Sequence, residues 1–292
     1  MNLISIEDKK YPELLKEIGK TAPKQLHYKG NWDGDIFENC LAVVGSRRMT
    51  TYGKQVVERI VGEAAAAGIT IVSGFMYGVD AAAHKTALNF GGRTIAVMPC
   101  GIDLIHPKYQ QDLYVEILNN NGLVVSEYEG DRRPANWTYP QRNKIVAGLS
   151  KATLIVEAGE KSGSLITARL AQKFKRKLFV VPGPITSENS KGIMQLIKDG
   201  ATPISSAKDI LQYYNLNKKL ERLDLSKDGK DGGVRPLQSL EGEIVSQLQR
   251  ESLDIDTIAR EFSMPVAKIG TILSMMQLKG QIKLEGNKYY LC

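Results

Sequence analysis

Residues 42–53 read AVVGSRRMTTYG: an apolar run meets Gly45 and Ser46, and two arginines, Arg47 and Arg48, follow before a helical pattern begins. Nucleotide-binding domains place G-x-G-x-x-G at such a strand-to-helix junction, so that bare backbone can touch a pyrophosphate. Here guanidinium groups stand where the glycines would. The planar fork of arginine donates two charge-assisted hydrogen bonds to one phosphate. Arg47 therefore reads as a phosphate ligand. Arg48 reads either as a second one or as half of a structural ion pair.

Further along, EKSGSLITA places Ser162, Gly163 and Ser164 directly before a helical pattern. That spacing suits an amino-terminal cap and an anion-binding nest alike, because both use the same amides. YPQRNKIVAG sets Arg142, Asn143 and Lys144 at an expected helix start, where Arg142 or Lys144 serves either a phosphate or packing. The run KFKRK, 173–177, is expected to be a solvated helix end with its cations on the favourable side of the dipole. Glu127 and Glu157 fall at the ends of apolar runs, where a general acid and base would stand; capping of backbone amides is the reading we carry forward. Cys40, Cys100 and Cys292 are far apart and form no C-x-x-C pair, which supports neither a disulfide framework nor a zinc site. Among His27, His84 and His106, only His84 has a partner at helical spacing, Asp80, read as a contact at a helix start.

These residues need elements to hold them. From residue 41, short β-branched runs alternate with amphipathic ones: LAVVG, ITIVSG, RTIAVMP, LVVSE, ATLIVEAG, KLFVVPG and ATPIS are the expected strands. Strands apolar along their whole length and separated by helices mean a doubly wound, mostly parallel α/β sheet covered on both faces. Nearly every run ends in small or polar residues, and in a parallel sheet those ends share one edge, the edge where open α/β sheets bind ligands.

The chain of 292 residues is 42% hydrophobic and 24% charged, ordinary for a globular protein. No apolar run approaches the roughly 18 residues of a membrane span, and the first residues lack a signal-peptide core, so a cytoplasmic protein with no membrane partner is expected. The formal net charge of +7 is unevenly placed. Residues 1–40 carry 6 basic and 7 acidic side chains, residues 41–214 carry 21 and 14, and residues 215–292 carry 12 and 11. The excess lies in the middle, as a polyanion-binding domain would have it, although solubility asks for surface charge too. Residues 217–236, NKKLERLDLSKDGKDGGVRP, read as a linker, and 237–292 read as three helices and a β-hairpin, a small winged helix.

The segments VGSRRMTTYG, VSGFMYGVDAAAHKTAL, TIAVMPCGIDLIHPK, SEYEGDRRPANWTYPQRNKIVAGLS, VEAGEKSGSLITA and VPGPIT…GIMQLIKDGA, in this order, resemble the DprA/Smf family of DNA-processing proteins of natural transformation. The resemblance covers 41–214 and extends to the carboxy-terminal winged helix. It implies an extended Rossmann-like domain, 41–216, that binds single-stranded DNA, protects it and loads the RecA recombinase onto it as a homodimer, with no enzymatic activity and no cofactor. It also implies that Arg47 and Lys108 lie in the DNA pocket; the residue readings add Gly45, Ser46, Arg48, Arg142, Lys144, Ser162, Gly163 and Ser164 as the wider candidate set. The chain departs from the family at His106, where a Y-P tyrosine is usual. Residues 1–40 keep only the pieces at Tyr11–Ile18 and Leu26–Gly30 and are expected to be the remnant of a helical domain. A second reading of the same fold is a small-ligand protein, a nucleotide sensor or a nucleoside-phosphate hydrolase. Lysine-decarboxylase-like hydrolases carry P-G-G-x-G-T-x-x-E where this chain has EAGEKSGSLITA.

Overall fold

The computed structural model describes residues 2–216, 237–248, 251–262, 264–278 and 280–291, so the expected linker at 217–236 and Cys292 lie outside the described residues. The strands of the first part are β1 Asn2–Ser5, β2 Gln25–Gly30, β3 Cys40–Val44, β4 Thr70–Ser73, β5 Thr94–Gly101, β6 Leu123–Tyr128, β7 Ala152–Ile155, β8 Lys177–Val180 and β9 Thr202–Pro203. Its helices are α1 Glu13–Lys16, α2 Thr51–Val56, α3 Gly62–Ala66, α4 Val79–Asn89, α5 Gln111–Asn119, α6 Thr138–Gly148, α7 Ser164–Lys173, α8 Lys191–Lys198 and α9 Ala207–Tyr213, with a π-helical turn, Val57–Val61, joining α2 to α3.

One sheet of nine strands holds them, in the order β1-β2-β6-β5-β4-β3-β7-β8-β9. From β6 across to β9 all pairs are parallel. The reason is visible in β3, whose residues are buried throughout: Cys40, Ala42 and Val44 join one apolar cluster, Leu41 and Val43 the other. A strand's side chains alternate between faces, so a run with no polar residue demands helices on both sides. Ile145 and Val146 of α6, Ala168 and Ala171 of α7, and Ile193 and Leu196 of α8 cover the first face. Val57, Ile60 and Val61, with Val79, Ala83 and Ala87 of α4 and Ile210 and Leu211 of α9, cover the second.

The chain runs outward from β3 through β4 and β5 to β6, then returns to the other side of β3 and runs outward again through β7, β8 and β9. Neighbouring connections diverge between β3 and β7. This switch point opens a crevice at the carboxyl ends of the two strands.

Residues 1–40 differ from expectation. They are woven into the same unit, not set before it as a helical remnant. β1 pairs antiparallel with β2, and β2 antiparallel with β6. Tyr11, Leu15 and Leu26 are buried in the first cluster, and the Tyr11 hydroxyl donates to the Pro23 carbonyl at 2.7 Å. The KFKRK run is a solvated helix end at Lys173, exposed in the last turn of α7, but not at Arg176. Arg176 is tied to Glu17 at 2.8 Å and donates to the Leu14 carbonyl at 2.6 Å, fastening α1 to the domain. His84 pairs with Thr94, its Nδ1 2.6 Å from Oγ1, and not with Asp80. Burial lowers its pKa to about 3, so the ring is neutral. Cys40 and Cys100 are free and buried.

The second unit comprises α10 Leu237–Leu248, α11 Ile255–Glu261, α12 Val266–Leu278, β10 Ile282–Glu285 and β11 Lys288–Leu291. The strands pair antiparallel across a turn at Gly286, whose φ of +62° favours glycine. Leu240, Ile244, Ile258, Ile269, Leu273, Met276, Ile282 and Tyr289 form its core. Asp254 caps α11 by accepting from the Thr257 amide at 2.8 Å. This is the winged helix that the sequence pattern implies. No helix among the described residues is long and apolar enough to cross a membrane.

Candidate functional site

A cavity of about 580 Å³ occupies the switch point. The end of β3 gives it Gly45, Ser46, Arg47 and Arg48, α4 gives Asp80, α6 gives Tyr139, Arg142 and Asn143, and the turn into α7 gives Lys161, Ser162, Gly163 and Ser164.

The local chemistry explains how the arginines are presented. A Cβ at Gly45 would stand 2.6 Å from Val79 Cγ2, so glycine is what lets α4 pack against the strand end. The Val79 amide donates to the Ser46 carbonyl at 3.2 Å and locks that approach. Ser46 is buried, and its Oγ accepts from the Arg48 amide at 3.1 Å. This small hydroxyl-braced turn places both arginines on the surface, where both are exposed. Asn189 holds the turn from outside, its amide donating to the Arg48 carbonyl at 2.9 Å. None of the ion pairs among the described residues involves Arg47 or Arg48.

Arg47 lies over the ring of Tyr139, 5.3 Å from its centroid. The Tyr139 hydroxyl is 2.9 Å from His106 Nε2. Burial, and then the charge of Arg47, lower the pKa of His106 and favour its neutral form.

Arg142 forms the floor of the cavity. It is 4% exposed, and its Nη1 donates to the Val97 carbonyl at 2.8 Å. Its guanidinium fills the space a side chain at Gly74 would need. Burial lowers its pKa to about 10, against the opposing pull of Asp80, so it remains charged at neutral pH. Asp80 is buried as well. Burial raises its pKa, while Arg142 and a hydrogen bond with Ser73 work the other way. Among the described residues Arg142 Nε has no hydrogen-bond partner.

At the start of α7 Gly163 offers no side chain, and it is Ser162 Oγ that accepts from the Ser164 amide at 3.3 Å. Ser162 Oγ lies 2.7 Å from Ser164 Oγ, and the Leu165 and Ile166 amides are already bonded to the carbonyls of Ser162 and Gly163. What this turn offers the cavity is two hydroxyls and the positive end of a ten-residue helix.

Not every candidate from the sequence meets here. Lys144, two residues after Arg142, faces away from it, since positions i and i+2 of a helix do not share a face. It pairs with Glu127 at 2.9 Å on the wall of a second cavity with Lys20, Lys24 and Gln141. Glu127 is thus an ion-pair partner and does not cap amides as expected. Glu157 does cap: it accepts from the Thr50 amide at 3.0 Å and from the Thr50 hydroxyl, at the start of α2. Lys108 is exposed, at the first position of a 3-10 turn, Lys108–Gln110, and is not among the cavity-lining residues. Sequence reasoning passed over Lys161, Tyr139 and Asn189. The first two stand inside segments singled out for their neighbours, whereas nothing local marks Asn189.

Comparison with known proteins gives consistent matches. A family model described as DNA recombination-mediator protein A matches residues 2–215, and one described as the DprA winged helix domain matches residues 230–286. Protein Smf of Escherichia coli is 37% identical over 247 residues, which span 83% of this chain and 65% of that protein, just under two thirds of its length. The X-ray structure of DNA processing protein A from Streptococcus pneumoniae superposes with a TM-score of 0.67 at 38% identity, covering 72% of this chain and 73% of that one. DNA processing protein A from Helicobacter pylori, whose structure is described for its single-stranded DNA binding mode, superposes with a TM-score of 0.64 at 33% identity, covering 76% of this chain and 97% of that one.

Proposed function

The chain belongs to the family of DNA recombination-mediator protein A, and from that premise we propose that it binds single-stranded DNA in the cavity at the switch point. The observation that carries the reading is the pair Arg47 and Arg48, two exposed guanidinium groups at the ligand edge of the sheet that form no ion pair among the described residues. Holding such cations together costs electrostatic energy, and a phosphate chain relieves it. Arg47 supplies a bidentate contact to one phosphate, Lys161 stands across the cavity for another, and the start of α7 adds dipole potential. Tyr139, lying under Arg47, offers a ring face to a base. Arg142 is held too deep to grip a phosphate at the rim. It sets the positive potential of the floor and positions α6. Lys108 contributes from outside the cavity as a charge along the path of the strand.

Binding is favoured over hydrolysis by the state of the two carboxylates at the strand ends. Glu157 is engaged by Thr50 and Glu127 by Lys144, so neither is poised as a general acid or base. From the family resemblance we extend the proposal to protecting the strand and handing it to a RecA recombinase during natural transformation, and to pairing of two chains through the α/β unit.

A gel-shift comparison of single- and double-stranded oligonucleotides, with a nucleotide as competitor, tests the reading. Preference for the single strand that the nucleotide does not displace is the expected result. Displacement by low nucleotide concentrations, or no preference between strands, overturns it in favour of a small ligand.

A further inference from the structure

We propose that Tyr77 and Tyr109 form a base-stacking platform that continues the single-strand path beyond the arginine-lined cavity. The proposal rests on the single-strand reading above.

The two rings come from separate segments, Tyr77 from the turn between β4 and α4 and Tyr109 from the 3-10 turn after β5. They lie nearly parallel, with centroids 5.4 Å apart and an interplanar angle of 15°. Tyr77 is 42% exposed and Tyr109 65%. A stacked pair covers only one face of each ring, and exposure this high leaves Tyr109 a bare aromatic surface in water. Nothing in the fold needs that arrangement, because neither ring belongs to an apolar cluster of the sheet.

Buried groups set the pair in place. Gln110, next to Tyr109, is 6% exposed, and its side-chain amide donates to the Phe75 carbonyl at 3.0 Å. Phe75 is fully buried in the left-handed region at φ +55° and packs edge-on against Tyr114 at 6.1 Å. A non-glycine residue in that region persists only where its surroundings hold it. The turn carrying Tyr77 is thereby bolted to the turn carrying Tyr109, and a platform rigid before binding loses little entropy when a base settles on it.

The position fits a strand leaving the cavity. Met76, next to Tyr77, lines the cavity together with Tyr139, and His106, three residues before Tyr109, has its Nε2 2.9 Å from the Tyr139 hydroxyl. The stacked pair Tyr77 and Tyr109 is thus held next to the rim where Arg47 lies over Tyr139, and the exposed Lys108 precedes Tyr109 in the chain. Cations alternating with aromatic faces are what a single strand asks of a protein, phosphates on one and bases on the other.

The test uses the full chain and fluorescence anisotropy with two labelled oligonucleotides of equal length, oligothymidylate and an abasic chain with the same phosphates. Tyr109→Ala and Tyr77→Ala should weaken oligothymidylate binding by roughly five- to a hundredfold, the range for losing one stacked base. The same variants should bind the abasic chain nearly as the parent does, and Tyr109→Trp should keep oligothymidylate affinity. Arg47→Ala should weaken binding to both. Parent-like oligothymidylate binding by both tyrosine variants, while Arg47→Ala is weak, overturns the platform and spares the cavity. Equal losses on the two oligonucleotides also overturn it. A fall in mass by light scattering with affinity unchanged would make the pair a contact between two copies of this chain. If Arg47→Ala binds like the parent, the single-strand reading itself falls, and the platform with it.

Discussion

The α/β unit and the winged helix offer a phosphate chain different surfaces. At the switch point of the first, Arg47, Arg48 and Lys161 are exposed around one cavity with a charged Arg142 beneath them. In the second, the described exposed residues of α12, the element that would enter a groove, include Val266, Thr271, Ser274 and Met275; the side chains of Lys268 and Lys279 lie outside the described residues. Residues 237–292 hold six basic and seven acidic side chains, whereas 41–214 hold 21 and 14. Groove readers of this shape bring several cations to the backbone. By sequence, the excess positive charge lies with the sheet, whose fold serves many ligands, and not with the winged helix.

The largest expected effect separates floor from rim within the first unit. Arg142→Leu should lower unfolding free energy by about 3–5 kcal/mol, because it leaves Asp80 buried without its compensating charge, whereas Arg47→Ala should leave the urea midpoint almost unmoved. Equal stability losses would erase the distinction between a structural and a ligand-facing arginine. Next, Arg47→Ala should cost about 1–3 kcal/mol of single-strand affinity in anisotropy titrations, as expected for losing a charge-assisted partner, with Arg47→Lys recovering part of it.

Acid separates the units in a third way. His84 has a pKa of about 3 in the fold, against an ordinary value near 6.5, so the unfolded chain takes the proton first as pH falls. Its contribution is complete above pH 6.5 and is lost between there and about 3, at roughly 1.4 kcal/mol per pH unit where only the unfolded state is protonated. Asp80, with its pKa raised by burial, acts in the opposite sense, so the quantity to read is the difference in slope between the protein and His84→Asn. The second unit contains no histidine. Asp254, whose pKa is lowered by the Thr257 amide and hydroxyl, supports it until pH falls below the ordinary aspartate range. Denaturation followed between pH 4 and 6.5 should therefore show the His84-dependent slope in the first unit only. The smallest effect concerns removal of residues 217–292, which should change single-strand affinity only slightly; loss of most binding would reverse the comparison between the units.

Much of this was legible in the sequence where a local pattern had one physical solution. Strands without polar residues require two covered faces, and a strand that ends in Gly45, Ser46 and two arginines sets those cations at the edge where the cavity opens. Strand β1 escaped notice because NLIS is a short edge strand of mixed polarity, and the extended segment that becomes β2 gave no sign of its place in the sheet, which depends on antiparallel pairing with β6 almost a hundred residues away. Arg142 and Lys144 looked alike because spacing alone does not say which face of α6 meets the cavity. Tyr77 and Tyr109 are brought together by the bond from Gln110 to Phe75, a long-range contact no window of sequence contains.

The most direct test of the central claim is the salt dependence of single-strand affinity for the full chain and for Arg47→Ala. If Arg47 grips a phosphate, the parent's affinity falls steeply with salt and the plot of log affinity against log salt for the variant is shallower by about one unit, with weaker binding throughout. Superimposable lines for the two proteins would contradict it.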